Sequence, residues 1–149
     1  MSDDYRDMLC ALKNANAEFL VVGAHAVGAH GIIRGTLVFD IWVRPTPENA
    51  GRVWQALAAF RAPLGNVRQE DFVNPDLIFQ IGVTPNRINI VTRISAVEFD
   101  EAWDNRIEAD VLGVHVPVIG REQLIRNKRA VARPKDISDA DDLESGRCR

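Results

Sequence analysis

Cysteine is nearly absent: two occur in the 149 residues, Cys10 and Cys148, with no metal-like spacing and no basis for a disulfide framework. Long apolar runs are missing too. No stretch approaches the length that crosses a bilayer, and the start, Met1-Ser-Asp-Asp-Tyr, has no basic segment leading into an apolar one, so the expectation is a cytoplasmic protein, neither exported nor inserted. Charge of one sign is not in excess. Eighteen basic residues against 21 acidic give a net charge of −3, which argues against a nucleic-acid binder held by bulk electrostatics, so any contact with a polyanion has to be local. Repeats, low-complexity tracts and long linkers are also missing, and the chain is expected to form one domain over residues 1–149.

What is present suits a folded core, with 46% hydrophobic and 26% charged residues. Met8, Leu9 and Leu12 fall on one face of an amphipathic helix that begins near Ser2 or Asp3. A short buried strand over 19–22 ends at Gly23, and a tight turn then leads into a small-sided helix. Residues 36–43 are β-rich. Thr46 reads as an N-cap with Pro47 as the first residue of a helix that carries Val53, Leu57 and Phe60 on one face. Residues 77–81 and 87–91 read as neighbouring strands joined by a turn, 99–103 as a short helix, 111–118 as a strand or hairpin. Two further helices start near Arg121 and Pro134. Interleaving of this kind predicts an α/β or α+β layered domain, a mixed β-sheet covered by helices.

The sharpest local feature is Gly23-Ala-His-Ala-Val-Gly-Ala-His-Gly31, followed by Arg34-Gly-Thr36 and Val38-Phe-Asp40. A strand that ends at glycine and feeds a helix gathers unpaired backbone N–H groups and a positive helix end in one place, which suits a phosphate. In the next strand the period of two puts Val38 and Asp40 on one face, so Asp40 sits beside a valine and not beside a second acid. His25 and His30 are five residues apart, not the three or four that would align them as metal ligands on a helix, and they read as turn or packing residues. Trp42, Trp54 and Trp103 read as core or interface residues. The basic residues Arg121, Arg126, Lys128, Arg129, Arg133 and Lys135 read as a solvated helix surface with few aromatics among them, not as a nucleic-acid platform.

The run over 19–43, with Pro85-Asn-Arg-Ile-Asn89-Ile and Leu124-Ile-Arg-Asn-Lys128-Arg, resembles the small bacterial nucleotidyltransferases of the polymerase-beta superfamily, above all the minimal and abortive-infection-toxin-like members. In those proteins a glycine turn cradles a triphosphate, and three aspartates on two strands hold two magnesium ions. By resemblance, Gly23 is the first glycine of the turn and Ala24 stands where a second is usual. Arg34 and Thr36 match the residues leading into the carboxylate strand, Asp40 matches the second aspartate, and Lys128 matches a lysine that reaches the nucleotide or pins its helix to the domain. Val38 and Asn89 stand at the first and third aspartate positions.

Magnesium prefers hard anionic oxygens in a near-octahedral shell, and valine offers none. The resemblance therefore implies a catalytically impaired nucleotidyltransferase-fold protein that retains at most nucleotide or partner binding, with Asp40 as the remaining catalytic and metal-binding acid and magnesium held weakly or not at all. Two other readings stay open. One is an active metal-dependent nucleotidyltransferase acting on RNA or protein, with Glu70, Asp71 or Asp76 replacing the missing acids. The other is an interaction module, a homodimer or one half of a toxin-antitoxin-like pair.

Overall fold

The structure, a computed structural model, describes residues 3–32, 38–82 and 87–146. Arg34, Thr36 and Cys148 lie outside the described residues. Six strands among the described residues form one mixed sheet: β1 Phe19–Val22, β2 Val38–Val43, β3 Ile78–Ile81, β4 Arg87–Val91, β5 Ile107–Val111 and β6 Val114–Val118, in the spatial order β3-β4-β2-β1-β6-β5. Around them lie α1 Asp3–Asn14, α2 Ala24–Ala29, α3 Pro47–Phe60, α4 Phe99–Asp104, α5 Arg121–Val131 and α6 Pro134–Ser145. β1 runs antiparallel to β2 and parallel to β6, β2 is parallel to β4, and β3 and β5 close the two edges antiparallel to their neighbours. The expected mixed sheet covered by helices is what forms, with the strands over 19–22, 38–43 and 87–91 side by side.

Burial follows the pleat. Along β2 and β4, Phe39, Ile41, Val43, Ile88 and Ile90 are buried, whereas Val38, Asp40, Arg87 and Asn89 on the opposite face are half-buried. The buried face carries α1 and α3: Tyr5 of α1 meets the Phe39 ring edge-on at 5.2 Å, and Trp54 of α3 packs on Phe72, which packs on Phe79 of β3. β1 lies in the middle of the sheet, and all four of its residues are buried, so it reads as a continuous apolar run without alternation. As the sequence predicts, Thr46 caps α3 by accepting the Asn49 N–H, and Pro47 opens the helix.

Two segments differ from the sequence reading. The unit expected to begin at 111 begins earlier, with β5 at Ile107, and turns through Leu112 and Gly113, both at positive φ (54° and 84°), the two-residue geometry that matches strand twist. The alternation Ile107-Glu-Ala-Asp-Val111 carries that strand signal. Residues 69–73, given no place from the sequence, form a short 3-10 turn that seats Phe72 beneath Trp54.

On the other face of the sheet, α5 and α6 pack together around a buried ionic knot. Lys128 Nζ lies 3.2 Å from Asp136 Oδ1 and 3.4 Å from Asp139 Oδ2, and Arg133 Nε donates to Asp136 Oδ2 at 2.6 Å. Burial raises the Asp136 pKa, but hydrogen bonds from Arg133 and Lys128 outweigh it and hold the carboxyl below its ordinary value. Removing the cation would strand two buried acids next to one another. Lys128→Ala is therefore expected to lower the unfolding free energy by about 3–5 kcal/mol, read from urea denaturation at neutral pH; a loss under ~1 kcal/mol would show that the knot contributes little.

Candidate functional site

The site is set by register. Parallel pairing of β2 and β4 puts Val38 opposite Arg87, Asp40 opposite Asn89 and Trp42 opposite Val91, so Asp40 and Asn89 share a face as the sequence implies. From the other side β1 brings Val22 opposite Asp40, and the chain turns at the next residue, Gly23. Gly23 has φ 72°, and a Cβ there would stand 2.4 Å from Asp40 Oδ2, so both the backbone and the approach of the carboxylate require glycine. Asn89 Nδ2 donates to Asp40 Oδ1 at 2.9 Å. A carboxylate only accepts, so the amide must turn its NH2 toward it, and that leaves Asn89 Oδ1 buried without a partner among the described residues.

This face opens into a cleft of about 520 Å³ between the sheet and the α5–α6 pair. Gly23, Ala24, Asp40 and Lys128, all singled out from the sequence, border it together with Val38 and Asn89. The sequence reading missed Arg87 and Asp136, which border it too. For Arg87 the signal was there: it lies two residues before Asn89 on the same strand, hence on the same face. Among the described residues, five basic side chains, Arg87, Arg93, Lys128, Arg133 and Lys135, line the cleft against two acids, Asp40 and Asp136, in a chain whose net charge is −3. At its rim stand Ile78 and Val131, 65% and 39% exposed.

Most of the C-terminal basic residues turn out to be internal ties. Arg126 makes a two-pronged contact with Glu101 of α4 at 2.7 Å, Arg129 reaches Asp141 and Glu144, and Arg121 donates to the Leu143 carbonyl. His25 and His30 pack, as expected. His30 Nε2 donates to the Ile119 carbonyl at 2.8 Å, and His25 sits against the rings of Tyr5 and Phe39. Trp42 is buried against Phe99, and Trp103 stacks on Phe99 with Arg106 over its ring at 4.0 Å.

The donor set does not fit a pair of magnesium ions. Val38 offers no oxygen, Asn89 presents its NH2 and not its carbonyl to Asp40, and no group of three His, Cys, Asp or Glu side chains among the described residues could hold a metal. The acids considered as replacements are elsewhere. Asp71 accepts from the Arg68 N–H at 2.9 Å, Asp76 pairs with Arg93 at 2.9 Å, and neither they nor Glu70 border the cleft. Asp136 does border it, with its carboxylate committed to Lys128 and Arg133.

This layered mixed sheet, with the Gly23 turn against the Asp40 strand, has the fold of solved nucleotidyltransferases. The chain is similar to a Thermotoga maritima protein (TM1012) described as a nucleotidyltransferase, with 14% identity and a TM-score of 0.59 over 95% of this chain and 88% of that one. It is also similar to the lincosamide antibiotic adenylyltransferase LnuA, solved with lincomycin bound, with 12% identity and a TM-score of 0.63 over 99% of this chain and 98% of that one. At such identities the likeness is one of fold. No protein-family model and no curated protein matches the sequence.

Two outcomes follow from this geometry. Gly23→Ala is expected to destabilise the protein by about 1–3 kcal/mol, from strain at positive φ and displacement of Asp40, measurable by denaturant unfolding. Burial pushes the His25 imidazole below its ordinary pKa of 6.5, with Asp40 pulling the other way. The folded protein thus resists a proton that the unfolded chain accepts. Stability should be full above pH 6.5 and decline as the pH falls through the lowered value, and His25→Phe should flatten that part of a Tm-against-pH profile.

Proposed function

We propose that this chain binds a nucleoside triphosphate in the cleft between β2, β4 and the α5–α6 pair, and does not carry out two-metal nucleotidyl transfer. The observation that carries this reading is the Asn89–Asp40 hydrogen bond at 2.9 Å, beside Val38 on the same face. It puts a neutral amide and an apolar side chain where the resemblance calls for metal-bridging carboxylates. Bridging two dications requires several anionic oxygens, and one carboxylate leaves them to repel each other. Magnesium is accordingly bound weakly or not at all, with Asp40 its best ligand.

Nucleotide binding is supported by the fold, by the adenylyltransferase activity in the name of the neighbour LnuA, and by the make-up of the cleft. Apolar Ile78 and Val131 at the rim suit a base, and the cations beyond them suit phosphates. Of the nucleotide contacts that the resemblance implies, Gly23 and Ala24 border the cleft, Lys128 borders it with its ammonium already held by Asp136 and Asp139, and Arg34 and Thr36 lie outside the described residues. A nucleotide ligand is in keeping with the cytoplasmic setting expected from the sequence. The reading that keeps metal-dependent transfer with a substitute acid is disfavoured because Asp136, the second carboxylate bordering the cleft among the described residues, is already taken by Lys128 and Arg133.

Titration calorimetry with each nucleoside triphosphate tests the binding. Reversion tests the lost metal site: Val38→Asp with Asn89→Asp should be less stable than the parent in chelator, through like-charge repulsion, and should regain stability with magnesium or manganese. At a hundredfold excess of ion over its Kd the recovery is about 2.7 kcal/mol, and each single change should recover much less because bridged ions need the ligands jointly. A double variant whose Tm ignores both ions would remove the basis for reading Asp40 as a former metal ligand.

A further inference from the structure

Two cations of the cleft have no ion-pair partner among the described residues. Arg93 is paired with Asp76, Lys128 with Asp136 and Asp139, and Arg133 with Asp136. Among the described residues Arg87 and Lys135 have no ion-pair partner, and Arg87 Nε is buried with no acceptor. A buried donor left unsatisfied costs free energy, so its retention calls for an acceptor that the described residues do not supply, and a bound anion would be one. Arg87 is also placed by register: it stands directly opposite Val38 and two residues from Asn89 on the same face. Where the resemblance calls for a carboxylate and the metal it would hold, this chain has an apolar side chain next to a guanidinium.

We propose that the cleft binds a di- or triphosphate group free of divalent metal, with Arg87 and Lys135 supplying the positive charge that magnesium supplies in a two-metal site. This rests on the nucleotide reading above and says in which form the ligand is taken. A guanidinium meets phosphate oxygens with paired N–H groups and needs no co-ligands, whereas a dication here has one carboxylate for it and several cations against it. Chelation by magnesium also cancels part of the charge of a triphosphate, so the metal-bound form is attracted less strongly by an already basic cleft. Position points the same way. The Asp40 carboxylate lies against the Gly23 turn, and a phosphate pressed into that turn would face a like charge with no metal between them. The phosphates are better placed toward Arg87 and the start of α6, where Lys135 is exposed.

The test is calorimetric titration of ATP and of inorganic tripolyphosphate, each in EDTA and in excess magnesium, on the parent, Arg87→Gln and Lys135→Gln. ATP is expected to bind at least ~10-fold more tightly in EDTA than in magnesium, and each substitution should weaken the metal-free complex by about 10-fold or more. Lys135 is exposed, so its variant keeps the comparison valid even if Arg87→Gln fails to fold. ATP binding that requires magnesium, or that both folded variants leave unchanged, overturns the metal-free proposal and leaves the nucleotide reading standing. Tripolyphosphate binding as tightly as ATP in EDTA supports the anion site and overturns the nucleotide reading. Binding of neither probe overturns both.

Discussion

The carboxylate of Asp40 fits because Gly23 has no side chain, and much of the molecule is arranged around that one close approach. A Cβ at Gly23 would stand 2.4 Å from Asp40 Oδ2, so turn and acid have to be placed together. The turn sets the direction of α2, and α2 in turn places His25 on Tyr5 and Phe39 and ends at His30, which ties to the backbone of Ile119 beyond β6. On the far side of Asp40, Asn89 completes the confinement. The acid is thus fixed by β1, β2 and β4 at once, in the middle of the sheet.

Charge is distributed by the same logic. The net charge of −3 would suggest a surface indifferent or averse to anions, yet the cleft gathers basic residues because the sheet register and the α5–α6 pairing bring them to one face. Several of these cations are bound internally. The buried contacts of Lys128 with Asp136 and Asp139 tie α6 to α5, and desolvating the charges offsets much of their attraction. Arg87 and Lys135, left over from that pairing, give the cleft its residual character.

A shared fold and a changed site are compatible. The likeness to a nucleotidyltransferase and an adenylyltransferase at 14% and 12% identity rests on backbone arrangement, which depends on apolar patterning and tolerates wide substitution. Chemistry depends on a few side chains, and two that the resemblance would make acidic are Val38 and Asn89 here. Neither residue disturbs the strands: valine suits a pleated position, and the amide of Asn89 donates to Asp40 across the paired strands.

By itself the sequence determined the elements whose signals are local: the amphipathic α1, the Thr46–Pro47 start of α3, the buried β1 and the glycine turn. It also determined that Asp40 would sit beside Val38, because a period of two needs no partner strand to be read. The β5 strand was legible in the alternation over 107–111, a short pattern that the stronger run after it overshadowed. What only the tertiary structure decided was everything set by pairing across sequence distance. Register placed Asn89 and Arg87 against Asp40 and Val38, and helix packing turned the basic residues from 121 onward into internal ties. Lys128 could face a ligand or a buried acid with the same local sequence, and the choice fell to the position of Asp136 and Asp139 on the next helix. Local propensity reports how a residue sits on its own element; which charges end up neutralised depends on what the fold brings opposite them.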